Sequence, residues 1–240
     1  MSDRSHEIGR ARFLGAAGLG LAAVAVTAGG STGEALAAGG AAPTPAANTP
    51  GQALELLKAG NVRFIEGKGF CGSLNARRLE LTSGQSPFAV VLGCSDSRAP
   101  AETIFDQIPG HLFIVRVAGN FVTRDGLGSI EYGVAALHTP LIVVLGHSSC
   151  GAVDATIKYV KNGTTQPGHI MDLVRAIEPA VKSTQGEPGN WLDNAIARNV
   201  RDNVAALTAR STIVADAVKS KSAGIVGGVY DLRSGKVTFL

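Results

Sequence analysis

The fold class follows from one stretch of sequence, Phe88-Ala89-Val90-Val91-Leu92-Gly93-Cys94, whose apolar run is continuous rather than alternating. Two runs of the same kind follow, at 112–115 and 141–145. Continuous apolar runs are typical of strands buried on both faces, as in a parallel sheet. Because segments with helical spacing lie between them, the pattern predicts an α/β fold with a mostly parallel central β-sheet flanked by α-helices.

The other elements are predicted from the spacing of apolar residues and from turn signals. Apolar residues recur at helical spacing before the first strand and again after the third, and Ser234-Gly235 marks a turn between two terminal strands. Helices are expected at 51–66, 101–105, 128–137, 152–160, 171–182 and 191–219, and the strand pair at 225–231 and 237–240.

Composition excludes several classes of protein. The chain has 240 residues, with 22 Lys+Arg against 19 Asp+Glu and a formal net charge of +3, so it carries no polybasic footprint and nucleic acid is not an expected partner. A hydrophobic fraction of 45% and a charged fraction of 17% are typical of a globular protein. Its three cysteines are too few for a disulfide scaffold.

The N-terminal fifth differs in composition from the rest. Residues 1–38 read as an export signal: Arg10-Ala11-Arg12 resembles a twin-arginine motif whose second arginine is missing, and Ala35-Leu36-Ala37 offers small residues for cleavage. The uncharged stretch is too rich in glycine to anchor in a membrane. Residues 39–50 form a Pro/Ala linker, and 51–240 the catalytic domain. We expect an exported protein, secreted or periplasmic, with no membrane segment in its mature form; a leader that is not functional would leave it cytoplasmic.

Two of the buried strands are followed by residue types that commonly bind metals. Cys94, Asp96 and Arg98 follow the first strand, and His147 and Cys150 follow the third. The carboxyl ends of neighbouring strands in an open α/β sheet share a crevice, so these groups converge if the two strands are adjacent. Two thiolates and an imidazole are ligands typical of Zn2+. The sequence therefore predicts a zinc site made by Cys94, His147 and Cys150, with Asp96 as a possible fourth ligand.

Asp96 and Arg98 are the candidate catalytic residues. Three protein ligands leave a position for water, whereas a fourth from Asp96 closes the site. If Arg98 pins Asp96 as an ionised group, the carboxylate can only accept a hydrogen bond, which favours a bound hydroxide nucleophile. Because two thiolates offset the charge of the ion, we expect activity that rises above neutral pH.

Other interpretations of the same residues are open at this point. Cys94 and Cys150 could form a disulfide, which export would permit. The zinc could be purely structural. The Asp96–Arg98 pair could be an ordinary surface ion pair that contributes little to stability.

These residues resemble a known family. Gly93-Cys94-Ser95-Asp96-Ser97-Arg98 together with Gly146-His147-Ser148-Ser149-Cys150-Gly151 is similar to the paired motif of the β-class carbonic anhydrases, and the likeness extends through 59–64, 113–120 and 130–132. The resemblance implies one zinc ion per subunit, held by the two cysteines and the histidine. It also implies the reversible hydration of carbon dioxide to bicarbonate and a proton by zinc-bound hydroxide.

The resemblance also implies a substrate pocket and an assembly. Substrate-binding positions in the family correspond to Gln85, Phe113, Ala118, Tyr132 and Gly151. The family's pockets draw residues from two chains, so the expected partner is a second copy, in a homodimer or a larger even oligomer.

Among the departures from the family pattern, one concerns a bicarbonate pocket, and Ala118 is also smaller than the usual valine. Arg116 and Tyr230 match residues of a bicarbonate pocket found in some members, but Val91 stands where those members have tryptophan. The departure argues against switching of the site by bicarbonate.

Two alternative functions stay open. The same zinc site could hydrolyse carbon disulfide or carbonyl sulfide, with only access to the pocket differing. The chain could also be a non-catalytic zinc or bicarbonate binder in which Asp96 stays on the metal.

Overall fold

The computed structural model describes residues 47–70 and 74–240. The predicted leader at 1–38 and all but the last four residues of the linker at 39–50 lie outside the described residues. None of the helices in the described ranges has the length and apolar character needed to span a membrane.

One five-stranded sheet organises the chain, with strand order β2-β1-β3-β4-β5. The first four strands in that order pair in parallel, and the last pairs antiparallel to its neighbour, which confirms the predicted fold class. Its strands are β1 (Ala89–Gly93), β2 (Leu112–Arg116), β3 (Leu141–His147), β4 (Gly224–Tyr230) and β5 (Val237–Phe239).

Helices precede the sheet and fill the crossovers between its strands. They are α1 (Pro50–Ile65), α2 (Leu74–Glu80), α3 (Ala101–Ile104), α4 (Arg124–Ala135), α5 (Gly151–Asn162), α6 (Ile170–Ser183), α7 (Trp191–Arg210) and α8 (Thr212–Lys219), with a 3-10 turn at Leu81–Ser83.

The single helix predicted over 191–219 is wrong, because the chain breaks at Ser211. Ser211 has extended backbone angles and caps α8, its Oγ accepting from the Val214 N–H at 3.1 Å. The same hydroxyl donates to Glu131 Oε1 of α4 at 2.6 Å. A hydroxyl that competes for backbone hydrogen bonds ends one helix and starts another, a break that apolar spacing does not reveal.

Both faces of the central strands are buried, as the continuous apolar runs require. Every residue of β1 and β3 is buried. Val91 and Val143 point into a core layer shared with α1 and α3, while Val90 and Val144 point into a second layer shared with α4, α7 and α8.

Helix α1 sits unusually close to the segment that follows α3. A Cβ at Gly60 would lie 1.8 Å from the Phe105 carbonyl oxygen, so only glycine fits. The next residue, the buried Asn61, donates to the carbonyls of Ile104 at 3.1 Å and Gly235 at 2.8 Å, and accepts from the Val237 N–H at 2.9 Å. One amide thus ties α1 to the β4–β5 hairpin.

A buried histidine lies just before β2. His111 is 5% exposed, its Nδ1 lies 2.9 Å from Gln107 Oε1, and its Nε2 has no hydrogen-bond partner among the described residues. Burial, helped by the positive charge of Arg77, lowers the pKa of His111 to about 4. The imidazole is therefore neutral at neutral pH.

This histidine makes the stability of the fold depend on pH. In the unfolded chain its pKa is about 6.5. As the pH falls from about 6.5 to about 4, the unfolded chain takes up a proton that the folded chain does not, so the free energy of unfolding decreases by up to about 3 kcal/mol. His111→Asn keeps a donor toward Gln107 without a titrating group. Urea unfolding at pH 7 and 4.5 is expected to show a smaller pH-dependent loss of stability in this variant; an equal loss in both proteins would contradict the prediction.

Candidate metal centre

The metal-binding side chains lie where two neighbouring strands end. β1 pairs with β3 in parallel, with Gly93 opposite Leu145, so the carboxyl ends of the two strands lie side by side. Cys94 follows β1 directly, His147 is the last residue of β3, and Cys150 is the N-cap of α5. Their ligand atoms all lie within 4.8 Å of one another, and all three residues are buried. The sequence prediction that the two strand ends meet is confirmed.

The donor set fits a zinc ion. His147 Nδ1 lies 2.9 Å from the carbonyl oxygen of Ser148. Because a carbonyl can only accept, Nδ1 carries the proton and Nε2 presents a lone pair. That nitrogen is buried without a hydrogen-bond partner among the described residues. Cys94 and Cys150 are both free, so the disulfide alternative does not hold in the structure. Two thiols and an imidazole nitrogen match the ligands of zinc sites, in which the other ring nitrogen of the histidine commonly donates to a backbone carbonyl, as it does here to Ser148.

Asp96 is held at the edge of this cluster by Arg98. Its Oδ1 accepts from the Arg98 backbone N–H at 2.9 Å and from Nε at 3.0 Å, and its Oδ2 accepts from Nη2 at 2.7 Å. The same Oδ2 lies 3.8 Å from His147 Nε2. The carboxylate therefore faces the space between the ligand atoms while both of its oxygens are engaged by the guanidinium.

The ionisation of the ligands is set by their mutual contact. The hydrogen bond from the neighbouring Cys150 thiol lowers the pKa of Cys94 against the opposing effect of burial, and the nearby His147 ring and the Gly119 amide lower it further. The neighbouring Cys94 thiolate, together with burial, raises the pKa of Cys150. Burial alone would lower the pKa of His147, but its contact with the Cys94 thiolate raises it. The hydrogen bond from Arg98 holds the pKa of Asp96 well below its usual range.

The ionisation of the two thiols favours the binding of a cation. Without a metal, the two sulfurs share one proton. A bound divalent cation replaces that proton, because metal ligands must be deprotonated.

The residues assigned to substrate binding fall into two groups. Phe113 of β2 and Tyr132 of α4 lie together, with ring centroids 6.0 Å apart, and line a cavity of about 700 Å3 that also includes Arg124. Tyr132 is 53% exposed. None of the candidate zinc ligands is among the described residues that line this cavity.

The other group consists of residues in connecting segments. Gly151 opens α5 beside Cys150, Ala118 lies partly buried in the turn after β2, and Gln85 is exposed in the segment before β1.

Two supporting roles at the site are not predicted from the sequence, those of Arg116 and Ser148. Arg116 donates from Nε to the Cys94 carbonyl at 2.8 Å and from Nη2 to the Asp96 carbonyl at 2.6 Å, so it braces the loop that carries both side chains. Ser148 orients His147 through its carbonyl, and its hydroxyl accepts from the Leu232 N–H at 2.9 Å. The resemblance links Arg116 to a bicarbonate pocket and includes Ser148 in the paired motif, but neither signal indicates these hydrogen bonds.

Comparison with known proteins agrees with the geometry. A family model described as carbonic anhydrase matches residues 89–237. Carbonic anhydrase 2 of Mycobacterium tuberculosis is 42% identical over 188 residues, which covers 78% of this chain and 91% of the relative.

Solved structures share the fold. The β-carbonic anhydrase CcaA aligns with a TM-score of 0.63 at 24% identity, covering 78% of this chain and 86% of that one. A tetrameric β-carbonic anhydrase from Sordaria macrospora aligns with a TM-score of 0.59 at 24% identity, covering 68% of this chain and 85% of that one. With the family model spanning more than half of the chain and a relative 42% identical over most of it, the chain belongs to the β-class carbonic anhydrase family.

Proposed function

We propose that this chain is a zinc-dependent carbonic anhydrase that catalyses the reversible hydration of carbon dioxide to bicarbonate and a proton. One observation carries the proposal: the buried Nε2 of His147, which has no hydrogen-bond partner in the part of the chain that the structure describes, lies within 4.8 Å of two free cysteine sulfurs. Cys94, His147 and Cys150 would hold one zinc ion per subunit. Membership in the family supplies the reaction class.

The charge of the site suits a metal with an open position. When bound, zinc acts as a Lewis acid that lowers the pKa of a coordinated water. Two thiolates balance the double positive charge of the ion, and Asp96 is balanced by Arg98. The buried centre therefore carries little net charge, which limits the cost of burying it.

Asp96 orients the reacting water through its free lone pair. An ionised carboxylate offers about four acceptor sites, and Arg98 and its backbone N–H occupy three of them. The remaining site on Oδ2 faces the ligand cluster, 3.8 Å from His147 Nε2. Since an ionised carboxylate can only accept, it would accept a hydrogen bond from the water, which leaves an oxygen lone pair of the water directed toward the substrate. Arg98 keeps the carboxylate from moving onto the metal.

Carbon dioxide would be bound in a pocket between the metal centre and an apolar wall, and one chain does not bring these two parts together. Phe113 and Tyr132 form that wall, and the cavity they line does not reach the zinc ligands of the same chain. A second copy that brings this wall to the metal centre would complete the pocket. The half-exposed Tyr132 supports this arrangement, as does the tetrameric state of the Sordaria macrospora enzymes. We therefore propose a homodimer or a larger even oligomer.

Removing one sulfur ligand tests the proposed function. Cys150→Ser is expected to lower zinc content and to reduce carbon dioxide hydration by at least about 100-fold, because loss of a ligand costs more than loss of a supporting contact. Elemental analysis and stopped-flow hydration assays measure the two quantities. Cys71→Ser is the matched control, since Cys71 belongs to neither motif. A wild-type protein that is full of zinc but inactive toward carbon dioxide would overturn the proposal, and activity toward carbonyl sulfide alone would favour a hydrolase.

The role of Asp96 is tested by removing its charge. Asp96→Asn keeps the shape of the side chain but turns an obligate acceptor into a group that also donates. We expect kcat to fall by about 10- to 100-fold while zinc content stays unchanged. Asp172→Asn is the control, because it removes a charge from an exposed pair with His169 on α6. Equal kcat values for the two variants would contradict the role given to Asp96.

A further inference from the structure

The turn between β2 and α4 touches the metal centre through one backbone amide. The Gly119 N–H donates to Cys94 Sγ at 3.2 Å. Gly119 has a φ of 86°, and a Cβ there would lie 2.4 Å from Ile177 Cδ1, so both the backbone angle and the space require glycine. The amide therefore reaches the sulfur only in a conformation that the surrounding structure must hold.

Helix α7 supplies the group that holds this conformation. Asn199 Nδ2 donates to the Gly119 carbonyl oxygen at 2.8 Å, 80 residues away in sequence, and Asn199 is 2% exposed. The hydrogen bonds at the Gly119 N–H and C=O fix the two peptide groups on either side of its Cα. Rotation of either peptide would break one bond.

The orientation of the Asn199 amide is itself fixed. Its Oδ1 accepts from Asn203 Nδ2 at 3.1 Å, so the Asn199 side chain cannot exchange its oxygen and nitrogen without losing both bonds. Asn203 Oδ1 in turn accepts from the Val122 N–H at 2.7 Å, further along the same turn. Burying two amides is costly unless their hydrogen bonds are made, and here they are directed at the turn that contacts Cys94.

We propose that Asn199 is a positioning residue for the zinc centre, which acts through Gly119 to hold a backbone N–H on the Cys94 sulfur. The inference rests on the proposed zinc site and adds a tuning element to it. A hydrogen bond to a thiolate withdraws electron density from sulfur and fixes its direction. Outer contacts of this kind adjust both the affinity of a metal site and the electron donation of its ligands.

The test uses the full chain loaded with cobalt(II), whose thiolate-to-metal charge-transfer absorption reports the donor strength of the sulfurs. In Asn199→Ala the N–H···S bond is lost or lengthened, so the charge-transfer band is expected to move to longer wavelength. Zinc affinity, measured by competition with a chromophoric chelator, is expected to fall by about 10- to 100-fold. A purely structural role would not move the band at full cobalt occupancy.

Arg210→Ala is the matched control. Arg210, also on α7, donates from Nη1 to the Val122 carbonyl at 2.6 Å, in the same turn but away from Gly119. In Arg210→Ala, the charge-transfer band is expected to stay at the wild-type wavelength. An unshifted band in Asn199→Ala, or an equal shift in both variants, would overturn the proposal.

Two further measurements keep the outcome clear. If Asn199→Ala does not fold, Asn199→Asp replaces the donating nitrogen by an oxygen in a side chain of the same shape, and the same shift of the charge-transfer band is expected.

In the wild-type protein loaded with 113Cd, the Gly119 amide proton is expected to couple to the metal through the hydrogen bond, and absence of that coupling would count against the proposal. A wild-type chain that binds neither cobalt nor zinc would instead overturn the proposed function.

Discussion

The parallel register between β1 and β3 places Gly93 beside Leu145, and every feature of the metal centre depends on that pairing. Cys94 and His147 belong to segments separated by about fifty residues, and only adjacent strands bring them into contact. Alternate residues of each strand pack into two different core layers, so a slip of one residue would exchange the side chains of the two layers and disrupt the packing of both. Core packing therefore fixes the register, and the register fixes the distance between two of the ligands.

The electrostatics of the site show why a metal suits it. A buried Cys94 thiolate and a buried His147 Nε2 that has no hydrogen-bond partner among the described residues are costly in a protein interior. The low pKa of Cys94 and the raised pKa of Cys150 describe two sulfurs that compete for one proton. A divalent cation resolves that competition by accepting both sulfurs and the ring nitrogen as ligands. Asp96 and Arg98 lie beside the ligands as an ion pair in which the two charges cancel each other.

Much of the fold and the metal centre could be predicted from the sequence because their signals are local. Continuous apolar runs predict buried strands, and the ligands stand directly after those runs. The break at Ser211 could not be predicted, since one hydroxyl within an apolar-periodic stretch leaves the period intact. The hydrogen bond from Asn199 to Gly119 spans 80 residues, and no spacing rule connects a helix amide with a carbonyl in a distant turn.

The apolar wall formed by Phe113 and Tyr132 shows what the structure of one chain does not explain. The family resemblance assigns Phe113 and Tyr132 to the substrate pocket, but one chain places them in a cavity that none of its candidate zinc ligands lines. Their relation to the reaction depends on how two copies meet, which depends on surfaces rather than on motifs. The candidate metal ligands, by contrast, all come from one chain.

X-ray absorption at the zinc edge of the purified chain tests that ligand set most directly. We expect two sulfur atoms at about 2.3 Å and one imidazole nitrogen at about 2.0–2.1 Å from the zinc, with a light atom completing the coordination. A spectrum with only oxygen and nitrogen neighbours, or a protein whose Cys94 and Cys150 are bonded to each other, would contradict it.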